Sequence, residues 1–203
     1  MTGRKAVALL IAAGLAVGLA ARAAAEEYPY HSLAGQLLVA SPAMTDPRFA
    51  ETVILMISHD RDGAMGLVVN RVIGSGPLRL LLETMGVEGS EAEGTVRLFY
   101  GGPVESHRGF VVHTADYEGP TTQVVADDLA VTFETDVLHA IGEGEGPARS
   151  LVLLGYAGWG PGQLDGEIRR EDWYTAPPDL SLVFGDDLDR VWERAMARAG
   201  TRL

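Results

Sequence analysis

The chain has 203 residues, 28 acids against 16 Lys and Arg for a formal charge of −12, and apolar side chains at 47% of positions. An apolar share of that size suits a folded domain of ordinary dimensions and argues against disorder. The acid excess disfavours nucleic acid as a partner, because phosphate backbones are held by basic side chains, and the lack of cysteine removes disulfides, thiolate catalysis and zinc–thiolate sites.

Arg4 and Lys5 precede an apolar run over residues 6–21, after which Ala23, Ala24 and Ala25 meet Glu26 and Glu27. A charged head, an apolar middle and small residues at the junction mark an export signal over residues 1–25, so cleavage after Ala25 and a periplasmic or secreted product are expected. The alternatives are an uncleaved anchor, or a start codon placed too early on a cytoplasmic protein. No membrane segment remains once the signal is removed. Residues 26–32 read as a flexible lead-in, and one domain occupies residues 33–203. With Arg4, Lys5 and Arg22 set aside, 13 of the 16 basic residues remain against all 28 acids, and none of them is a lysine.

Residues 33–40 are apolar around a central Gly-Gln, and residues 52–58 form a second β-rich run, with Asp46-Pro47 fitting a turn or a short helical entry between them. Asp60, Arg61, Asp62 and Gly63 then separate that run from residues 64–70, where Met65, Leu67 and Val69 alternate with smaller residues. This pattern predicts a β-hairpin. The tip lacks the further oxygen ligands and terminal glutamate of a calcium loop, so turn chemistry accounts for it. Gly74-Ser75-Gly76 reads as a linker-like turn. Leu78, Leu81, Leu82 and Met85 place an apolar stripe on a short helix over residues 77–85 that stops at Gly86, before an acidic surface loop over residues 88–94.

Strands are expected at residues 96–100 and 109–114, lying side by side, and again at 123–126 and 130–133. Asp136 can cap a helix running to Ile141 and ending at Gly142. Residues 151–154 are a core strand that leads into the stretch from Gly155 through Tyr156, Ala157, Gly158, Trp159, Gly160, Pro161 and Gly162 to Gln163. That stretch is expected to be a strand-to-helix loop, with Pro161 in the first turn of the helix. Its glycines serve either a ligand or the tight packing of two aromatics, and packing is the reading favoured. Leu164 and Ile168 share one face of the following helix. Residues 180–184 read as a last strand, and Asp186 or Asp187 as the cap of a final helix with Leu188, Val191, Trp192 and Ala195 inward. The expected fold is α+β: a compact single domain whose mixed, largely antiparallel sheet is packed by helices.

Catalytic signatures are mostly absences. Neither glycine cluster matches a dinucleotide fingerprint or a P-loop, no Gly-x-Ser-x-Gly elbow occurs, and no histidine pair has metal-ligand spacing. No cofactor and no metal are therefore expected. His113 sits at a strand end, where its ring donates to a ligand or, in the favoured reading, to a backbone carbonyl. Arg71, beside Asn70, and Arg108 are cations in an acidic chain. They mark an anion pocket or, in the favoured reading, pair with nearby carboxylates.

Five motifs then fall in order: Ser41-Pro42-x-Met44-x-Asp46-Pro47-x-Phe49, the run from Gly63 through Arg71, Gly101-Gly102-Pro103-Val104, the run from Arg108 to His113, and Gly155-Tyr156-Ala157-Gly158-Trp159-x-x-Gly162-Gln163-Leu164. Together they closely resemble the AlgH/YqgE family of bacteria from about residue 33 to about residue 197. The resemblance implies a compact α+β domain. It supplies no catalytic residue and no cofactor, and a role in transcriptional regulation linked to exopolysaccharide production has been proposed for members. Members are generally leaderless, so an export signal here would separate this chain from the chromosome.

The motif residues Asn70, Arg71, Gly101, Gly102, Arg108, His113, Tyr156, Trp159 and Gln163 form the candidate ligand-binding surface. The expected function is noncatalytic binding of a small ligand or a protein partner in the cell envelope. The alternatives are a cytoplasmic transcription-linked regulator, as proposed for the family, or an enzyme, such as a hydrolase working through Asn70, His113 and glycine N–H groups.

Overall fold

The structure, a computed structural model, describes residues 31–84, 86 and 92–200. The expected export signal, most of the lead-in, Met85 and most of the acidic loop lie outside the described residues. Among the described residues ten strands join in one sheet: β1 (Leu37–Ala40), β2 (Val53–Asp60), β3 (Gly63–Val68), β4 (Val72–Pro77), β5 (Thr95–Tyr100), β6 (Val104–Thr114), β7 (Thr122–Ala126), β8 (Leu129–Thr132), β9 (Ser150–Trp159) and β10 (Trp173–Ala176). The helices are α1 (Leu78–Thr84), α2 (Asp136–Glu143), α3 (Gln163–Arg169), α4 (Leu180–Val183) and α5 (Val191–Met196), the last preceded by a 3-10 turn at Leu188–Arg190. The α+β class and the mostly antiparallel sheet are as the sequence predicts.

Alternation along the strands sets the layers, because successive side chains leave opposite faces. Leu37, Val39, Val53 and Leu55 enter one buried cluster with Phe99, Phe110, Val183 and Val191, beneath α4 and α5. Leu38, Ala40, Ile54 and Met56 enter the other, with Trp159, Trp173 and Leu164 of α3. A third cluster seats Leu78 and Leu82 of α1 against Val137 and Leu138 of α2 and Val111 and Val152 of the sheet. Each fully buried Leu or Val contributes about 1.5–3 kcal/mol.

The main path of the sheet runs β10-β1-β2-β3-β9-β6-β8-β7, with β4 and β5 as a branch. The branch arises at Gly155, whose φ of 72° lies in the left-handed region and bends β9 in mid-course. Before the bend, Val152, Leu153 and Leu154 pair in parallel with Leu98, Phe99 and Tyr100; beyond it, Ala157, Gly158 and Trp159 pair with Gly66, Met65 and Ala64 of β3. The other edge of β9 is taken by β6 from Ser150 to Tyr156. At the far end of the path Gln123 of β7 donates to the carbonyl of Ile57 in β2, so the sheet curls back on itself.

Several expectations change. The stretch after Gly155 is not a loop: strand continues to Trp159, because Tyr156 pairs with Val104 of β6 and residues 157–159 pair with β3. Residues 96–100 and 109–114 are not neighbours, since the apolar β9 takes the doubly paired position between them. Gly74-Ser75-Gly76 is strand, an edge paired to β5 alone. Residues 180–184 are helical, because the Asp179 carboxylate accepts the Ser181 N–H at 2.7 Å and caps the turn. Asp136 is the first residue of α2 rather than its cap, and the helix passes Gly142 to end at Gly144. Pro161 lies in the turn before α3, whose N-cap is Gly162. Residues 173–176, for which the sequence predicts no element, form β10 by pairing with β1.

Candidate functional site

Asn70 and Arg71 follow β3 and turn the chain into the edge strand β4. Asn70 accepts the Val53 N–H on Oδ1 and donates from Nδ2 to the Glu51 carbonyl, both at 2.9 Å. Arg71 reaches the same segment: Nη1 donates to the carbonyls of Pro47 (3.0 Å) and Arg48 (2.8 Å), and Nη2 to that of Ala50 (2.7 Å). The two side chains thus clamp the connection between β1 and β2. Glu51, with a φ of 57°, is held there in a left-handed conformation that costs a non-glycine residue about 1–3 kcal/mol.

Clamp and loop form one wall of an open cleft of about 630 Å3, completed by Val72, Ile73 and Tyr100 and, from the C-terminal segment, Leu188 and Asp189. A smaller recess of about 380 Å3 adjoins it, sharing Asn70, Arg71, Leu188 and Asp189. The two cations of the cleft differ. Arg48 grips Asp46, with Nη2 to Oδ2 at 2.6 Å and Nε to Oδ1 at 3.0 Å. The Arg48 hydrogen bonds hold the Asp46 carboxyl down at about 2, and the same pairing pushes the guanidinium up. Arg71 touches only neutral carbonyls and, among the described residues, has no carboxylate at ion-pair distance. Burial pushes the Tyr100 phenol up, against the opposing field of the two arginines. Among the described residues its hydroxyl makes no hydrogen bond, while its N–H donates to the Arg71 carbonyl at 2.8 Å.

The other candidate residues lie elsewhere. Gly101 and Gly102 press against the bend of β9: a Cβ on Gly101 would meet the Gly155 carbonyl, and one on Gly102 the Tyr156–Ala157 peptide. Tyr156 packs edge-on to Phe110 in the core, with ring centroids 6.0 Å apart. Arg108 is exposed, pairs with Glu105 at 3.0 Å and lies over the Phe110 ring. Trp159 is buried and donates to Glu167 Oε2 at 2.8 Å, beside Trp173, which donates to the same oxygen at 2.9 Å. Gln163 donates to the other oxygen of Glu167 at 2.8 Å and accepts the Gly160 N–H.

His113 has no exposed surface. A carbonyl can only accept, so Nδ1 donates to Thr114 O at 2.8 Å, and the neutral ring takes the Thr132 hydroxyl on Nε2 at 2.9 Å. The Thr122 hydroxyl lies 2.7 Å from that of Thr132 and itself accepts the Gly119 N–H, which orders the chain of hydrogen bonds. Burial lowers the His113 pKa. Of the nine candidates, then, the structure brings only Asn70 and Arg71 to the cleft, Gly101, Gly102 and Tyr156 to the bend, and Trp159 and Gln163 to Glu167.

Sequence reasoning missed Arg48, Tyr100, Leu188 and Asp189 as cleft residues. Arg48 and Tyr100 adjoin quoted motifs, which is the signal that was there to use. Leu188 and Asp189 enter from a distant segment and leave no local trace. Among the described residues, no serine, threonine, histidine or cysteine lines the cleft, and no cluster of His, Asp or Glu suited to a metal ion occurs.

Comparison with known proteins gives a consistent picture. The AlgH-like family model, DUF179, matches residues 37–203. A UPF0301 protein of Methylococcus capsulatus is 50% identical over 169 residues, covering 83% of this chain and 92% of the relative. A UPF0301 protein of Rhizorhabdus wittichii is 48% identical over 83% of this chain and 90% of its own length. Among solved structures, the solution structure of the AlgH protein of Pseudomonas aeruginosa superposes with a TM-score of 0.70 at 38% identity, covering 83% of this chain and 89% of that one. A crystal structure of a Corynebacterium diphtheriae protein gives 0.65 at 26% identity, over 83% and 87% of the two chains.

Proposed function

The chain belongs to the AlgH-like family, and we propose that within it this protein is a noncatalytic binding protein whose ligand occupies the cleft beside Asn70 and Arg71. One observation carries the reading: the Arg71 guanidinium, fixed in place by three carbonyls and without a carboxylate partner among the described residues, faces an open cleft of ligand size. An arginine positioned in advance, with its charge uncompensated, is a ready contact for an incoming group. Asn70 supports it by fixing the loop that supplies those carbonyls.

The lining favours binding over turnover. Among the described residues it offers no serine, threonine or cysteine as nucleophile and no histidine as base. His113, the base of a hydrolytic reading, spends both ring nitrogens in the core and is absent from the cleft wall.

The proposed setting is the cell envelope, supported by Arg4 and Lys5, the apolar run over residues 6–21 and the alanines at 23–25. No helix among the described residues is long and apolar enough to cross a membrane. Calorimetry of the purified protein against a broad metabolite panel, with product analysis of each mixture, tests the reading. Saturable binding without product is expected. Turnover of a bound compound would replace it with the enzymatic alternative.

A further inference from the structure

The geometry points to a carboxylate-headed ligand with an apolar tail, its head on Arg71 and its tail along Val72, Ile73 and Leu188; this rests on the cleft being the binding site. A guanidinium carries five N–H groups. Three of those on Arg71 are given to Pro47, Arg48 and Ala50, which leaves the Nε–H and one N–H of Nη2. Nε and Nη2 share one edge of the planar guanidinium, and two N–H groups along one edge match the two oxygens of a carboxylate. The Tyr100 hydroxyl, also without a hydrogen bond among the described residues, is a further donor on the same wall.

Charge count selects a monoanion. Arg48 is already neutralised by Asp46, so among the described residues Arg71 is the cleft cation left to face a ligand, and Asp189 also lines the cleft. A single carboxylate balances Arg71. A phosphate dianion would leave an excess negative charge against Asp189 and Asp46 in a chain already strongly acidic. The rest of the wall is apolar and unusually open: Val72 is 43% exposed and Ile73 56%. Neighbouring exposed aliphatics beside a polar anchor are what an alkyl tail would cover. The volume of about 630 Å3 accommodates a ligand of that kind.

The test is an NMR titration of the full chain with acetate, butyrate, octanoate, octanamide and octyl phosphate. The resonances of Arg71, Val72, Ile73 and Tyr100 are followed. Octanoate is expected to bind tightest, with affinity falling as the chain shortens and dropping by about tenfold or more in octanamide, the loss of a charge-assisted pair. Ile73→Ser, on an exposed edge and free of folding risk, is expected to flatten the chain-length dependence while keeping the preference of acid over amide. Arg71→Gln, which removes the charge, is expected to abolish that preference. Octanamide binding in the cleft as well as octanoate, or octyl phosphate binding tighter, would overturn the carboxylate assignment and leave the cleft standing. If none of the probes moves the cleft resonances, the carboxylate assignment falls, and a response in another region instead removes the cleft as the binding site as well.

Discussion

Arg71 donates to the carbonyl of Ala50 across 2.7 Å, and this bond couples the start of an edge strand to a loop whose residues stand some twenty positions earlier. With the bonds to Pro47 and Arg48 it makes the loop and the cleft wall one unit. Arg71 is therefore a fastener as well as a contact.

Replacing Arg71 by alanine removes three charged hydrogen bonds. The expected cost is about 1–3 kcal/mol, moderated because the loop carbonyls can turn to water. Amide exchange should quicken at residues 46–52 while β6 and β9 keep their protection. Uniform exchange across the sheet would show that the clamp is not local. Asn70→Ala should behave alike with a larger penalty per bond, since the Val53 N–H it leaves belongs to a fully buried residue.

Gly102→Ala is predicted to be among the most damaging substitutions in the chain. Its φ is 155°, and a Cβ would fall on the Tyr156–Ala157 backbone, which cannot yield as a side-chain tip can. Loss of more than about 4 kcal/mol, read as failure to fold or a collapse of the urea midpoint, is expected. Gly74→Ala, where the added methyl meets open space, is the matched control and should stay within about 0.5 kcal/mol.

Glu167 accepts from the indoles of both Trp159 and Trp173 through one oxygen, joining α3 to β9 and β10. In Glu167→Ala both buried donors lose their partner, for a predicted cost of about 2–4 kcal/mol. Tryptophan emission should shift to the red as water reaches the indoles. An unchanged spectrum and midpoint would contradict the arrangement.

The buried histidines give stability a defined pH dependence. Burial lowers the pKa of His113 and of His59 in the folded chain, the latter against the pull of Asp165. The unfolded chain takes up those protons near the ordinary value of 6.5, the folded chain only at lower pH. Stability is thus complete above that value and lost as pH falls from it through the folded-state values. Urea midpoints should decline between about pH 7.5 and pH 5, and more shallowly in His113→Gln, with His59 supplying the remaining slope. A midpoint that rises on acidification would refute this.

The hairpin of β2 and β3 was legible because alternation and an Asp-Gly tip are local signals, and both are present. Residues 180–184 were not, since Leu-Ser-Leu-Val-Phe fits a buried strand as well as a helix; the deciding term is the side chain of Asp179, one residue upstream. Gly74-Ser75-Gly76 has the composition of a turn and is strand because β5 lies beside it. The neighbours of β9 depend on a bend at Gly155, and a left-handed glycine looks like any other in the sequence. The cleft divides the same way: Asn70 and Arg71 stand out as polar residues ending a strand, whereas Leu188 and Asp189 join them only through the tertiary fold.

The central claim is that the cleft beside Arg71 binds without catalysing, and a ligand-fragment screen by two-dimensional amide NMR of the assigned protein tests it most directly. The account predicts saturable shifts concentrated at Arg48, Arg71, Val72, Tyr100 and Leu188, with the bound fragments recovered unchanged. Shifts centred instead on the acidic depression near Gly35, Asp128 and Asp179, or conversion of a bound fragment to product, would contradict it.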